Sequence, residues 1–164
     1  MQKILFICTG NICRSPVAEV ICKTKLEKLG ILTQFQIDSA AIQGHHIGEP
    51  PDHRVFIEGE KRGLNFAHIH SRQVHLNDYY QFELMLGMTK HHVDYLESHK
   101  PADSITKIAL FANYADQNLH EDIEDPYYGN IENFIKMFDQ IDKISDKLIQ
   151  QITQNGTVEN LNFL

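Results

Sequence analysis

Residues 8–15, Cys-Thr-Gly-Asn-Ile-Cys-Arg-Ser, restrict the fold of this chain more than any other segment. They stand between an apolar run, Ile4-Leu5-Phe6-Ile7, and Pro16. A short apolar run reads as a buried strand, and proline is best tolerated in the first turn of a helix. The segment therefore has to turn the chain from strand to helix in a tight loop. Gly10 can take backbone conformations closed to other residues, and Asn11 tolerates the left-handed region. In such a turn the N–H groups of residues 9–14 can face inward as an anion nest, reinforced by the dipole of the helix that follows.

The side chains of this loop suit a phosphoryl group. Cysteine attacks as the thiolate, which helix N-termini and nearby cations favour. Cys8 ends the predicted strand beneath the nest. Arg14 offers a planar fork that matches two phosphoryl oxygens, which lysine cannot do. Ser15 can donate a hydrogen bond to sulfur and help it leave. A structural cysteine at a strand end, with Arg14 as a surface charge, would leave the specific Gly, Asn, Ser and Pro without a reason. The nucleotide-hydrolase signature GxxxxGK[ST] and the dinucleotide signature GxGxxG are both absent.

The rest of the chain is read around this loop. With 164 residues, 42% of them hydrophobic, the chain suits one domain, residues 1–164, around one core. Buried strands are expected at residues 3–7, 35–39, 82–88 and 105–111. Helices are expected at residues 16–29, ended by Gly30, and at 90–97, before Pro101. A short helix should lie between Pro50-Pro51 and the glycines at 59 and 63. Ile131, Phe134, Ile135, Phe138, Ile141, Ile144, Leu148, Ile149 and Ile152 recur at helical spacing. They mark a long amphipathic helix from Asn130 to the Asn155-Gly156 pair. Strands alternating with helices imply an α/β fold with a parallel sheet and right-handed crossovers. Ligands of such sheets bind at the carboxyl ends of the strands, which is where Cys8 falls.

Cleaving a phosphoester expels an alkoxide or phenoxide, so a proton donor is needed. Only seven residues precede Cys8, so the donor lies downstream. Glu124-Asp125-Pro126-Tyr127-Tyr128-Gly129 follows the fourth predicted strand and can reach the same sheet end. Asp125 is the candidate acid, with Pro126 stiffening the loop and Tyr127 and Tyr128 able to wall a pocket and stack on an aryl group. An acidic turn that merely caps the long helix is the competing reading of this segment alone.

The two motifs, at opposite ends of the chain, closely resemble the low-molecular-weight protein tyrosine phosphatases. That family carries C-x-G-N-x-C-R-S-P near its N-terminus and D-P-Y/F-Y near its C-terminus. Cys8, Gly10, Asn11, Cys13, Arg14, Ser15 and Pro16 match the first, and Asp125, Pro126, Tyr127 and Tyr128 the second. Asp38-Ser39-Ala40, the 48–52 segment and Arg72-Gln73 also fit. The resemblance implies a three-layer sandwich around a four-stranded parallel sheet, hydrolysis of phosphotyrosine-containing proteins or small aryl phosphates, and no metal or other cofactor. It makes Cys8 the nucleophile, Arg14 the phosphate clamp and Asp125 the general acid and base. Thr9, Gly10, Asn11, Ile12, Cys13 and Ser15 complete the phosphate-binding loop. His45, on a wall of the substrate cleft with Tyr127 and Tyr128, stands where the family often has an aromatic residue. Ile69 stands where a histidine often supports the loop asparagine. Thr89 and His92 replace the Asp and Asn of an M-D-x-x-N segment.

Other features set bounds. The net charge of −7 disfavours nucleic acid as a partner and makes attraction of an anionic substrate local to the loop. No signal peptide or stretch of transmembrane length is expected, and three cysteines suit a reduced cytoplasmic setting. A monomer or weak dimer is expected. The ten histidines, with His45-His46, His68/His70 and His91-His92 foremost, lack a metal-site signature and read as solvated surface residues. Cys22 reads as core packing. Cys13 shares the loop with Cys8, so their sulfurs can approach disulfide range. Arsenate reduction on the same fold would need redox cysteines downstream of residue 22, and there are none. An inactive phosphate-binding module is the other alternative, which the intact Cys8, Arg14 and Asp125 oppose.

Overall fold

The computed structural model describes residues 1–115, 121–158 and 161. Four strands form one parallel sheet in the order β2-β1-β3-β4, where β1 is Gln2–Cys8, β2 Phe35–Ala41, β3 Leu84–Gly87 and β4 Lys107–Leu110. β1 is central, and alternation along it divides the interior in two, because successive side chains of a strand point to opposite faces. Ile4, Phe6 and Cys8 enter a large core with helices α1 (Arg14–Lys28) and α5 (Ile131–Asn155). Leu5 and Ile7 enter a smaller one with Tyr79, Phe82 and Leu96, covered by α3 (Asp78–Gln81) and α4 (Lys90–His99). The result is the expected α/β sandwich with helices on both faces.

Helix boundaries follow from their caps. α5 starts at a reciprocal capping box: Asn130 Oδ1 accepts from the Glu132 and Asn133 N–H groups, and Asn133 Oδ1 accepts from the Asn130 N–H. It ends at Gly156, whose φ of 79° suits glycine. Its buried stripe runs Phe134, Met137, Phe138, Ile141, Ile144, Leu148, Ile149 and Ile152. α1 begins at Arg14, two residues before Pro16, with Cys13 as its N-cap, no side-chain cap hydrogen bond, and the Val17 N–H donating to the Cys13 carbonyl at 3.3 Å. α2 (His53–Lys61) starts at Asp52, whose Oδ1 accepts from the Arg54 N–H at 2.9 Å. Gly59 lies inside α2 rather than ending it, where a Cβ would strike the Phe66 ring.

Two apolar runs are shorter as strands than expected. Phe82 belongs to the end of α3, and Ile105 is 94% exposed before β4 begins. α3 is a four-residue helix with no periodic signal in the sequence. Among the described residues, no helix is long and apolar enough to cross a membrane.

The strands pair so that Cys8 faces Ala41, Ile7 faces Gly87 and Gly87 faces Leu110. Their carboxyl ends thus share one edge. Segment 71–74 extends this edge beside β2, with the Ala41 N–H donating to the Arg72 carbonyl and the Val74 N–H to the Ala41 carbonyl, each at 2.8 Å.

Candidate active site

Cys8 is the last residue of β1, and the seven residues after it fold back over its sulfur. The Asn11 N–H donates to Sγ at 3.3 Å. Ser15 Oγ lies 3.0 Å from Sγ, and it already accepts from Asn11 Nδ2 at 2.8 Å, which leaves its own hydrogen for the sulfur. The left-handed residue of the loop is Asn11, with φ 56°. Gly10 serves a different need from the conformational one expected: a Cβ there would stand 3.0 Å from His46 Cδ2. The His46 ring is in turn held by Glu49, whose Oε2 is 2.7 Å from Nδ1.

A buried polar chain braces the loop from below. Asn11 Nδ2 donates to Ser39 Oγ at 2.9 Å, and Ser39 donates to Glu19 Oε2 at 2.5 Å. Lys23 Nζ donates to the other Glu19 oxygen at 2.6 Å. Burial raises the Glu19 carboxyl above its ordinary value, with Lys23 opposing that rise. On the other side the Arg72 N–H donates to Asn11 Oδ1 at 3.0 Å, and Ser71 Oγ donates to the Gly10 carbonyl at 2.9 Å. Ile69 is a core residue. Serines at 39 and 71 and the Arg72 amide support the loop.

Arg14 is buried at the start of α1. Nη1 donates to the Ile123 carbonyl at 2.9 Å, while Nη2 lies 3.4 Å from Thr9 Oγ1 and 3.5 Å from Asp125 Oδ2. Asp125 sits in an Asx turn, accepting from the Tyr127 N–H at 3.1 Å, with its side chain 39% exposed. Arg54 straps this loop to α2: its guanidinium donates to the Tyr127 and Gly129 carbonyls at 3.0 and 3.2 Å, grips Asp52 and packs 4.3 Å from the Phe134 ring centre. Asp122, a possible alternative acid, instead accepts from the Lys90 N–H at the start of α4.

Cys8, Thr9, Gly10, Ile12, Cys13 and Arg14 border a cleft of about 230 Å³. Gln43, His45, His46, Asp125, Tyr127 and Tyr128 line the rest of it, with the His46 and Tyr127 rings 6.5 Å apart. Tyr127 and Tyr128 meet edge to face at 5.0 Å, with Tyr128 91% exposed. Asn11 and Ser15 are buried behind the loop rather than lining the cleft. Burial first, then neighbouring Cys8, pushes the Cys13 thiol far above its ordinary value, so Cys13 is held as the neutral thiol. Cys22 is likewise buried and donates to Ser145 Oγ at 3.4 Å in the core. The cysteines are free thiols.

Sequence reasoning missed Gln43, His46, Arg54 and the Ser39–Glu19 chain. It also read the histidines as solvated, which is wrong for His92: that ring is 1% exposed and lies 2.9 Å from Thr9 Oγ1. The available signal was Gly87, at which a Cβ would press on His92 Cβ at 3.0 Å, marking a close approach of α4 to the sheet end. Among the described residues, no group of three or more His, Cys, Asp or Glu side chains is arranged to hold a metal ion.

A central strand that ends in a cysteine–arginine loop, on a parallel sheet ordered β2-β1-β3-β4, defines an α/β protein with a cleft at the carboxyl ends of its strands. Residues 3–158 match the family model described as low molecular weight phosphotyrosine protein phosphatase. A protein of that name from Schizosaccharomyces pombe is 32% identical over 151 residues, covering 92% of this chain and 96% of its own. The solved structure of a protein tyrosine phosphatase from Entamoeba histolytica superposes with a TM-score of 0.89 at 28% identity, covering 95% of this chain and 99% of that one. DARP, a drosophila arginine phosphatase, superposes with a TM-score of 0.84 at 29% identity, covering 92% and 96%. The chain belongs to the low molecular weight phosphotyrosine protein phosphatase family, a family of hydrolases.

Proposed function

We propose that residues 1–164 act as one phosphatase domain, hydrolysing phosphotyrosine and related aryl phosphates through a phosphocysteine intermediate in the cytoplasm. The supporting observation is that Cys8, Arg14 and Asp125 converge on one cleft, which Ile12, Tyr127 and Tyr128 also line. Arg14 and the loop amides hold the phosphoryl oxygens and spread their charge. The Cys8 thiolate attacks phosphorus in line as the bond to the phenolic oxygen breaks, and Asp125 delivers its proton to that oxygen. A water molecule then attacks phosphorus from the vacated side and gives its proton to Asp125. The P–S bond breaks, phosphate leaves, and Ser15 O–H steadies the departing sulfur.

The decisive experiment measures phosphate release from a phosphotyrosine peptide by the parent protein and by Cys8→Ser. The expected result is turnover by the parent and a loss of about 10⁴-fold or more in the variant, since serine lacks a base to activate it here. Substantial turnover by Cys8→Ser refutes the mechanism. Phosphoarginine serves as the parallel substrate, because a structural neighbour is an arginine phosphatase. Preference for it over phosphotyrosine would refute the aryl assignment while keeping the nucleophile.

A further inference from the structure

Thr9 and His92 meet across 83 residues of sequence, at the point where the loop after β1 touches the first turn of α4. His92 is the third residue of that helix, and Gly87 at the end of β3 makes room for it. The hydrogen bonds around its ring can be assigned direction. The Thr89 N–H lies 3.0 Å from Nδ1, and a backbone amide only donates. Nδ1 therefore carries the lone pair, and in the neutral ring the proton sits on Nε2. Burial, then Arg14, then His91 hold His92 down to about 3, so the ring is neutral near physiological pH. Nε2–H then donates to Thr9 Oγ1 at 2.9 Å.

Arg14 Nη2 donates to the same oxygen from 3.4 Å. Both lone pairs of Thr9 Oγ1 are thus taken by N–H donors, one from each side. Its own hydrogen has to point away from both, and Thr9 borders the cleft. Asp125 Oδ2 is 3.5 Å from that same Arg14 nitrogen, so the Thr9 hydroxyl and the Asp125 carboxylate both approach Nη2.

We infer that the Thr9 hydroxyl is a further group of the phosphoryl site, with its proton aimed by His92 at an oxygen of the bound oxyanion. This rests on the phosphatase reading of the cleft. The loop's phosphate contacts are then not backbone amides and Arg14 alone. Thr9 adds a side-chain donor to the oxyanion. It also braces Nη2 of the clamp as the Ile123 carbonyl braces Nη1. His92 is a positioning residue: buried behind Thr9, it acts only through that hydroxyl.

Inorganic phosphate is the probe, titrated by calorimetry against the parent, Thr9→Ser, Thr9→Val and His92→Phe, without turnover. One charge-assisted hydrogen bond predicts that Thr9→Val weakens phosphate binding about 10-fold or more, while Thr9→Ser stays within about two-fold of the parent. His92→Phe should weaken phosphate in the parent background and have no further effect in Thr9→Val. Because His92→Phe removes buried hydrogen bonds and can impair folding, the ring is also read directly in the parent by ¹⁵N NMR. The expected signature is the neutral Nε2–H tautomer, unchanged between about pH 5 and 8. Equal phosphate affinity of Thr9→Val and the parent overturns the inference, as does a Nδ1–H tautomer or a Thr9→Ser defect as large as that of Thr9→Val. If the parent hydrolyses phosphotyrosine while Thr9→Val binds phosphate normally, only the role of Thr9 falls. If the Thr9 pattern holds in a protein that turns over no aryl phosphate, only the phosphatase reading falls.

Discussion

Asn11 concentrates three demands in one residue, and replacing it separates them. Its Nδ2 bonds Ser15 and Ser39, its Oδ1 accepts from the Arg72 N–H, and its backbone sits at φ 56°, all with the side chain fully buried. Three such bonds are worth about 1 kcal/mol each net, roughly 3 kcal/mol in all. The left-handed backbone adds about 1 kcal/mol against alanine, a cost that glycine avoids. Asn11→Ala should therefore lose about 4 kcal/mol and Asn11→Gly about 3 kcal/mol. Both should still fold, because domains carry about 5–15 kcal/mol. Urea unfolding at pH 7, with m-values compared, measures the pair, and thermal midpoints should drop by about 8–16 °C for alanine. Turnover should fall in both variants, since the Asn11 amide and the Ser15 hydroxyl both address the Cys8 sulfur. If Asn11→Ala lies within about 1 kcal/mol of the parent, the polar chain beneath the loop does not hold it, and the energetic reasoning fails. If alanine and glycine are equal, the backbone carries no strain at residue 11.

Three further predictions test the acid side of the cleft and the buried histidine. Asp125→Ala should slow single-turnover phosphorylation by about 10²-fold or more on phosphotyrosine and much less on p-nitrophenyl phosphate, whose leaving group needs little protonation. Equal losses would make Asp125 structural. Arg54→Met, which releases the carbonyls of Tyr127 and Gly129, should reproduce part of that leaving-group dependence while leaving phosphate affinity close to the parent's; a uniform loss across substrates would refute the strap. His92 is held well below its unfolded value of about 6.5, so the unfolded chain binds the extra proton. Its contribution is therefore intact above pH 6.5 and is lost as pH falls toward 3, at up to about 1.4 kcal/mol per pH unit. Acid titration of stability should be flatter over that window in His92→Asn, and an identical slope would contradict the buried neutral ring.

The framework of this fold was legible because its signals are local and strong. The apolar run from Ile4 to Cys8 in β1, a long 3.6-residue stripe in α5 and glycine or asparagine at helix ends each specify an element with little help from elsewhere. Errors fell where tertiary placement overrides pattern. Ile105 looks like strand but lies outside the sheet, and α3 is too short to show a period. The same division runs through the candidate site. Cys8, Arg14 and Asp125, which line one cleft, stood out because the proposed chemistry demands those residue types in recognisable motifs. Ser39, Glu19 and Arg54 are ordinary residues whose meaning comes from what the crossovers bring beside them. His92 was the hardest, since a histidine next to another histidine near a helix start gives no sign that one ring is buried against a loop 83 residues away.

The contact of Arg14 with Ile123 spans 109 positions, and Asp125 comes two positions later still. During synthesis β1, α1 and β2 emerge before Ser71 and Arg72, which brace the loop, and long before Ile123, whose carbonyl holds one nitrogen of Arg14. Cys8 and Asp125 border one cleft although β3, β4 and the return of the chain to Ile123 beside Met88 lie between them in sequence. A product that stops short of that return carries the Cys8 loop without Asp125. On the proposed mechanism, recovery of turnover during refolding should time the late long-range docking step rather than the early local one.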